Sequence, residues 1–224
     1  MLYIIGDVHG KIPDYLSKLV ALPAEAETLQ LGDMGLGFRE VYLPVLEDRH
    51  QFFRGNHDKP QVCQKHPNYA GDFGFRGNLG LFWVAGGWSI DWKYRVPGLS
   101  WWPDEQLNLR ELNAAYELYC KVKPEIVVTH EAPYLIAGKV LSQLVVGTHE
   151  PCPTDDGVRT KDEAYLRYKR EVGLHKTATG EALQAMFDAH KPKKWFFGHY
   201  HVDMVLTEEG TKFRCLNELS VMEA

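Results

Sequence analysis

Five short clusters of carboxylate, amide and imidazole punctuate this sequence, each behind a short apolar run. They are Gly6-Asp7-Val8-His9-Gly10, Gly32-Asp33, Gly55-Asn56-His57-Asp58, Thr129-His130-Glu131 and Gly198-His199-Tyr200-His201. Asp7 and His9 sit two apart at the end of a strand-like run, where residues of equal parity point to one side, so both can reach one cation. Asp7, His9, Asp33, Asn56, His130, His199 and His201 are together too many hard or borderline ligands for a single ion. Two ions about 3.5 to 4 Å apart, sharing Asp33 as a bridge, would activate water between them and hydrolyse a phosphate ester by in-line displacement. Imidazole mixed with carboxylate suits manganese, iron or zinc better than calcium. The donors do not choose among these; we expect two divalent ions and take manganese first, with iron, zinc or nickel as alternatives.

Ligands so far apart in the chain need elements that bring them together. Leu2 to Ile5 reads as a strand, Ile12 to Leu22 as a helix, Thr28 to Leu31 as a strand, Val41 to Leu46 as a helix and Gln51 to Arg54 as a strand. That alternation is the mark of βαβ units, in which functional residues lie in loops at the carboxyl ends of strands. Leu79 to Ala85, Glu125 to Thr129 and Lys194 to Phe197 are further expected strands, and Val202 to Leu206 with Lys212 to Cys215 reads as a hairpin. Asp104 is expected to cap a helix running to about Tyr119, and Thr179 another from Gly180 to about His190. Lys161 to Val172 reads as a mixed-charge helix, its charges a solvated face. Ala132 to Gly157 reads as a long irregular insert of the kind that forms functional lids. Trp83, Trp88, Trp92, Trp101 and Trp102 mark a core corner or buried lid in preference to a base-stacking platform.

At 224 residues, with 45% hydrophobic and 25% charged, the chain fits one soluble domain with a large core. A formal charge of −5 argues against nonspecific grip on polyanions, which needs a basic face, so nucleic acid is expected only as a substrate. Cys63, Cys120, Cys152 and Cys215 show no C-x-x-C spacing and are expected to be reduced. No apolar run approaches the ~20 residues that cross a bilayer, and Leu2 to Ile5 is too short for a signal peptide; we expect a cytoplasmic protein without membrane contact.

The ordered set GDVHG, GD, GNHD, TH and GHYH resembles the calcineurin-like metallophosphoesterase family, over residues 6 to 201. The resemblance implies an α/β fold, a four-layer α/β/β/α sandwich of two mixed sheets flanked by helices. It implies one domain over residues 1–224 with inserts at about 86–103 and 132–157. It further implies that Asp7, His9 and His201 hold a first metal, Asn56, His130 and His199 a second, and that Asp33 bridges them. His57 would protonate the leaving oxygen, with Asp58 orienting it. Arg54 is a phosphate ligand or a structural ion-pair partner, and its place beside the metal loop favours phosphate. The chain departs from the phosphoprotein phosphatase branch, which carries Asp-Arg-Gly where this sequence reads Met34-Gly35-Leu36-Gly37. Arg39 or Arg95 would have to replace the missing arginine. The expected activity is hydrolysis of phosphate monoesters by a hydroxide held between two metals. The alternatives are a phosphodiesterase acting on nucleotides or nucleic acid ends, and a non-catalytic binding scaffold. His50, His66, His175 and His190 read as ordinary polar residues, and Thr148-His149-Glu150 as a decoy of Thr129-His130-Glu131.

Overall fold

In the computed structural model, which describes residues 1–38, 40–147 and 177–224, the apolar runs are strands of four or five residues or fewer, gathered in two sheets. The first sheet holds β1 (Leu2–Ile5), β2 (Glu27–Gln30) and β3 (His50–Phe52) in parallel, with β10 (Val221–Glu223) antiparallel beside β1. The second runs in the order β4 (Phe73–Arg76), β5 (Leu81–Val84), β6 (Ile126–Thr129), β7 (Lys194–Phe197), β9 (Thr211–Cys215), β8 (Met204–Glu208). Its inner pairs are parallel and its two edge pairs antiparallel. Register matters for function here. Ile5 pairs with Gln30 and Gln30 with Phe52, while Val84 pairs with Thr129 and Thr129 with Phe197. Within each sheet the carboxyl ends of the parallel strands are therefore level, and the loops that follow form one rim.

Alternation along β1 sorts its side chains. Ile4 joins Leu29, Leu31 and Phe53 in the cluster that also holds Phe82, Val128 and Phe196 of the second sheet. Ile5 packs oppositely, with Phe52, Ile12, Tyr15 and Leu19 of α1 (Ile12–Val20) and Cys63 of α2 (Pro60–Cys63). On the second sheet Trp195 stacks on Phe213 with centroids 5.7 Å apart, and meets Tyr119 of α3 (Leu109–Val122). It also meets Phe187 of α5 (Ala178–Ala189), and α4 (Tyr134–Gly147) packs alongside α5. Each such aromatic pair adds about 0.5–1.5 kcal/mol beyond area burial. Helices, sheet, sheet, helices: this is the α/β/β/α sandwich of two mixed sheets that the resemblance implies.

Several local expectations are corrected. Val41 to Leu46 is not helical. Pro44 removes a donor there, and Asn68 seizes the segment, accepting from Leu46 N–H at 2.9 Å and donating to the carbonyls of Leu46, Glu47 and His50. The cap of α3 is Asn108, in a reciprocal capping box with Glu111, and Asp104 instead accepts from Gln61. Thr177 rather than Thr179 caps α5, its hydroxyl accepting from Gly180 N–H at 2.8 Å. The first half of the supposed irregular insert is α4, whose Ile136 and Val140 are four apart and buried. Glu209 and Gly210 both have positive φ, the backbone a two-residue hairpin between β8 and β9 requires. Arg39, His149, Cys152 and Lys161 to Val172 lie outside the described residues. Cys63 and Cys215 are buried free thiols. Among the described residues no helix is long and apolar enough to cross a membrane.

Candidate metal centre

All five clusters sit on the rim, and backbone hydrogen bonds lash their loops together. Val8 and His9 donate N–H to the Asp33 carbonyl at 3.0 and 2.8 Å, and His199 N–H donates to Asp7 Oδ2 at 3.1 Å. Glycine is needed at Gly55 and Gly198 because a Cβ at the first would collide with the Asp33 carboxylate and at the second with that of Asp7. His9, Asp33, His199 and His201 all have left-handed φ, between 48° and 70°. For residues other than glycine that conformation is strained, and its concentration here marks a site where geometry outranks stability.

Two groups of donors result. In the first, ligand atoms of Asp7, His9, Asp33 and His201 all lie within 4.8 Å of one another, with His9 Nε2 2.9 Å from His201 Nε2 and Asp7 Oδ2 3.3 Å from His201 Nε2. In the second, Asn56 Oδ1 is 2.9 Å from both His130 Nε2 and His199 Nδ1, and Asp33 Oδ1 is 3.4 Å from His130 Nε2. Asp33 spans the two: Oδ1 accepts His57 N–H at 2.7 Å and faces His130, while Oδ2 faces His9 at 3.9 Å. That Oδ2 atom is buried without a hydrogen-bond partner among the described residues. An unpaired buried carboxylate oxygen beside two imidazole nitrogens in mutual contact fits a cation. His130 Nδ1 lies 3.0 Å from the Leu31 carbonyl, and donation there leaves Nε2 as the nitrogen that could ligate a metal.

Electrostatics agree with a site built for positive charge. Burial works to raise Asp33, yet His130 and His57 outweigh it and hold the carboxyl well below its usual range. Asp7 is likewise lowered, against burial, by hydrogen bonds from His201 and His9. Burial opposes charge on His130, but Asp33 and Asp7 push it up to about 10. His199 goes the other way, down to about 3, through burial and the neighbouring His130. Protons on imidazoles here balance the two carboxylates, and a metal ion would displace them.

Two expected roles are placed elsewhere. Arg54 is only 3% exposed; its Nε donates to Asp72 Oδ1 at 2.6 Å and its Nη1 to the carbonyls of Glu105 and Asp104 at 2.6 and 3.1 Å. These are the contacts of a structural ion-pair partner rather than of a free phosphate ligand, and Arg54 does not line the cleft over the cluster. Asp58 does not touch the His57 ring: its carboxylate accepts four backbone N–H groups, from Met34, Gly35, Leu36 and Gly55, at 2.7 to 3.1 Å. It holds two ligand loops in shape. His57 is contacted instead by Arg95, whose Nη1 and Nη2 lie 3.1 and 2.9 Å from its ring nitrogens and whose Nε donates to Asp91 at 2.6 Å. Burial, with Arg95 also opposing the bound charge of Asp33, lowers the His57 pKa. Glu131, named within its cluster in the sequence but given no role there, accepts from Trp88 N–H and Thr177, and is pushed up to about 7 by burial. Its adjacency to His130 was the available signal. A cleft of about 940 Å³ opens over Asp33, Asn56, His57, His199 and His201, with Arg95 at one side and Trp88, Ile90 and Tyr134 among its walls. The tryptophans divide: Trp83 and Trp102 are buried, Trp92 is partly exposed, and Trp88 faces the cleft.

Fold and site together define an α/β sandwich with a candidate metal cluster on the shared rim of its sheets. No protein-family model matches the chain, and a comparison with curated proteins finds no match. Among solved structures it is similar to the crystal structure of the phosphopantetheinyl hydrolase PptH from Mycobacterium tuberculosis, at 14% identity over 97% of this chain and 89% of that one, with a TM-score of 0.44.

Proposed function

We propose that this chain is a calcineurin-like metallophosphoesterase that hydrolyses phosphate monoesters with two divalent ions. Asp7, His9 and His201 would hold the first ion, Asn56, His130 and His199 the second, and Asp33 would contribute to both. The observation that carries the reading is the split Asp33 carboxylate, one oxygen facing each donor group, with Oδ2 buried and unpaired. Bound there, such ions supply Lewis acidity to the phosphoryl oxygens and lower the pKa of the attacking water. Arg95 takes the phosphate-binding role that Arg54 does not fill. A neutral imidazole has one ring lone pair, so His57 accepts from Arg95 at one nitrogen only. When a phosphate dianion draws the guanidinium away, that lone pair is freed to take up a proton from solvent, and the imidazolium so formed can give a proton to the leaving oxygen and return to the neutral ring.

Metal removal with a chelator is expected to abolish hydrolysis of aryl phosphate monoesters, and added manganese, zinc, iron or nickel to restore it. A panel of monoesters, diesters, nucleotides and phosphopeptides, read beside metal content by mass spectrometry, tests this. Turnover undiminished in the metal-free protein would exclude the mechanism, and metal binding with no turnover on any ester would leave a scaffold.

Arg95→Ala is expected to lower kcat/KM for an aryl monoester by ~10- to 100-fold, roughly 1.4 to 2.7 kcal/mol, and for the matching diester by less. Lysine should recover only part, lacking the planar fork. Arg54→Ala should act differently, lowering the melting temperature before it touches ester preference. Equal losses on both esters for Arg95→Ala would favour the phosphodiesterase alternative.

A further inference from the structure

The two ends of an asparagine amide are nearly identical in shape, so the hydrogen bonds around Asn56 decide which end meets the metal cluster. The deciding protons lie on its far side. Asn56 Nδ2 is 3.0 Å from Ser89 Oγ, and that oxygen is 2.6 Å from Glu105 Oε2. Ser89 N–H donates to the other carboxylate oxygen, Glu105 Oε1, at 2.7 Å. Asn56, Ser89 and Glu105 are each no more than 2% exposed, so water does not compete for these groups.

An ionised carboxylate only accepts, so the single hydroxyl proton of Ser89 must go to Glu105. Burial leaves the Glu105 carboxyl raised overall, the two hydrogen bonds from Ser89 opposing it; the backbone N–H and the hydroxyl, each donating to a separate oxygen, are the pairing a carboxylate accepts. Ser89 Oγ then offers lone pairs alone toward Asn56, and only the amide NH₂ can meet lone pairs. The amide oxygen is thereby turned to His130 and His199.

We infer that Ser89 and Glu105 are positioning residues for the metal centre: together they set the direction of a proton chain that makes Asn56 an oxygen-first ligand. Arg54 anchors the chain from behind. Its Nη1 binds the Glu105 carbonyl, and its own carbonyl accepts Gly86 N–H at 2.8 Å, so it holds both segments that supply the chain, two residues ahead of Asn56 itself. Buried next to a metal loop, an arginine reads from sequence as a phosphate ligand; here it braces an amide. The inference rests on the proposal that Asn56 ligates the second ion.

A double-mutant cycle separates orientation from simple support. By titration calorimetry with Mn²⁺, Ser89→Ala is expected to weaken the second ion by ~10- to 100-fold, as losses behind a ligand usually do, and to spare the first. In an Asn56→Asp background both ends of the side chain are oxygen, so direction no longer matters, and the same Ser89→Ala change should cost less than about threefold. Equal loss in both backgrounds, or no loss in either, overturns the inference. A second arm needs no metal. In ¹⁵N spectra of the metal-free protein, Asn56 should give one sharp, solvent-protected side-chain NH₂ pair that shifts or doubles in Ser89→Ala and in Glu105→Gln, since a glutamine end both donates and accepts. An unchanged NH₂ pair overturns the inference as well. Should the wild type bind no second ion, the dinuclear reading fails, while the NH₂ signals still decide the Ser89–Glu105 chain.

Discussion

Asp33→Asn is expected to fold and to lose both ions, together with at least about 1,000-fold in kcat/KM, roughly 4 kcal/mol of barrier. The size follows from the geometry. Asp33 Oδ1 accepts the His57 N–H at 2.7 Å, so an asparagine must keep its one oxygen at that position and turn its NH₂ toward the place of Oδ2. A donor would then face His9 and the first group, where the native atom is a bare, buried anion without a partner. The negative charge that holds His130 up to about 10 falls away as well, which weakens attraction for a cation at the second group. Folding should be spared, because an asparagine oxygen keeps the His57 N–H bond and the other neighbours of the carboxylate among the described residues are imidazoles of the cluster itself. Metal content by mass spectrometry and an unchanged circular dichroism spectrum check this; full occupancy of both sites in a folded Asp33→Asn would remove Asp33 as the bridge.

Asp58→Ala has the largest expected effect on stability. Four backbone N–H groups of two ligand loops would lose their acceptor in a place that is 0% exposed. Each buried orphan costs about 1–3 kcal/mol, and with partial relaxation the sum is about 3–5 kcal/mol. For a chain of this size that lowers the melting temperature by roughly 10 °C, measured with chelator present so that metal loss does not contribute. Asparagine should rescue little, since its NH₂ would point at two of the same donors. The sequence-based role, orienting His57, predicts instead a normal melting temperature and slower turnover.

What the sequence made legible was which residues gather on the rim. Each of the seven residues proposed as ligands trails a strand-like run at a loop where small residues allow close approach, and a two-residue parity argument suffices to bring Asp7 and His9 together. The sandwich was legible only through the resemblance, since strand patterning alone supports the α/β class. Arg54 was misread because adjacency along a loop does not say which way a side chain turns; its partner Asp72 lies 18 residues on, and Glu105 51 residues on. Asp58 was misread likewise, as three of the four N–H donors it accepts belong to a loop more than twenty residues upstream. Val41 to Leu46 had a helical pattern, but the long reach of Asn68 overrode it. Thr177 and Thr179 are equally good caps on paper, and only the backbone turn chooses between them. β4 and β10 escaped notice because short, glycine-containing or terminal strands have too few residues to show a period of two.

The donors come from both sheets: Asp7, His9, Asp33 and Asn56 follow strands of the first, and His130, His199 and His201 follow strands of the second. His9 and His201, which meet at 2.9 Å, are 192 residues apart in the chain. Half a site binds little, so ions have nothing to template until the two sheets have docked. They are late arrivals in folding, and interactions absent from the folding transition state act on the way out rather than on the way in. Bound metal would therefore leave the rate of folding nearly untouched and slow unfolding, acting as a latch closed across two layers after they have found each other.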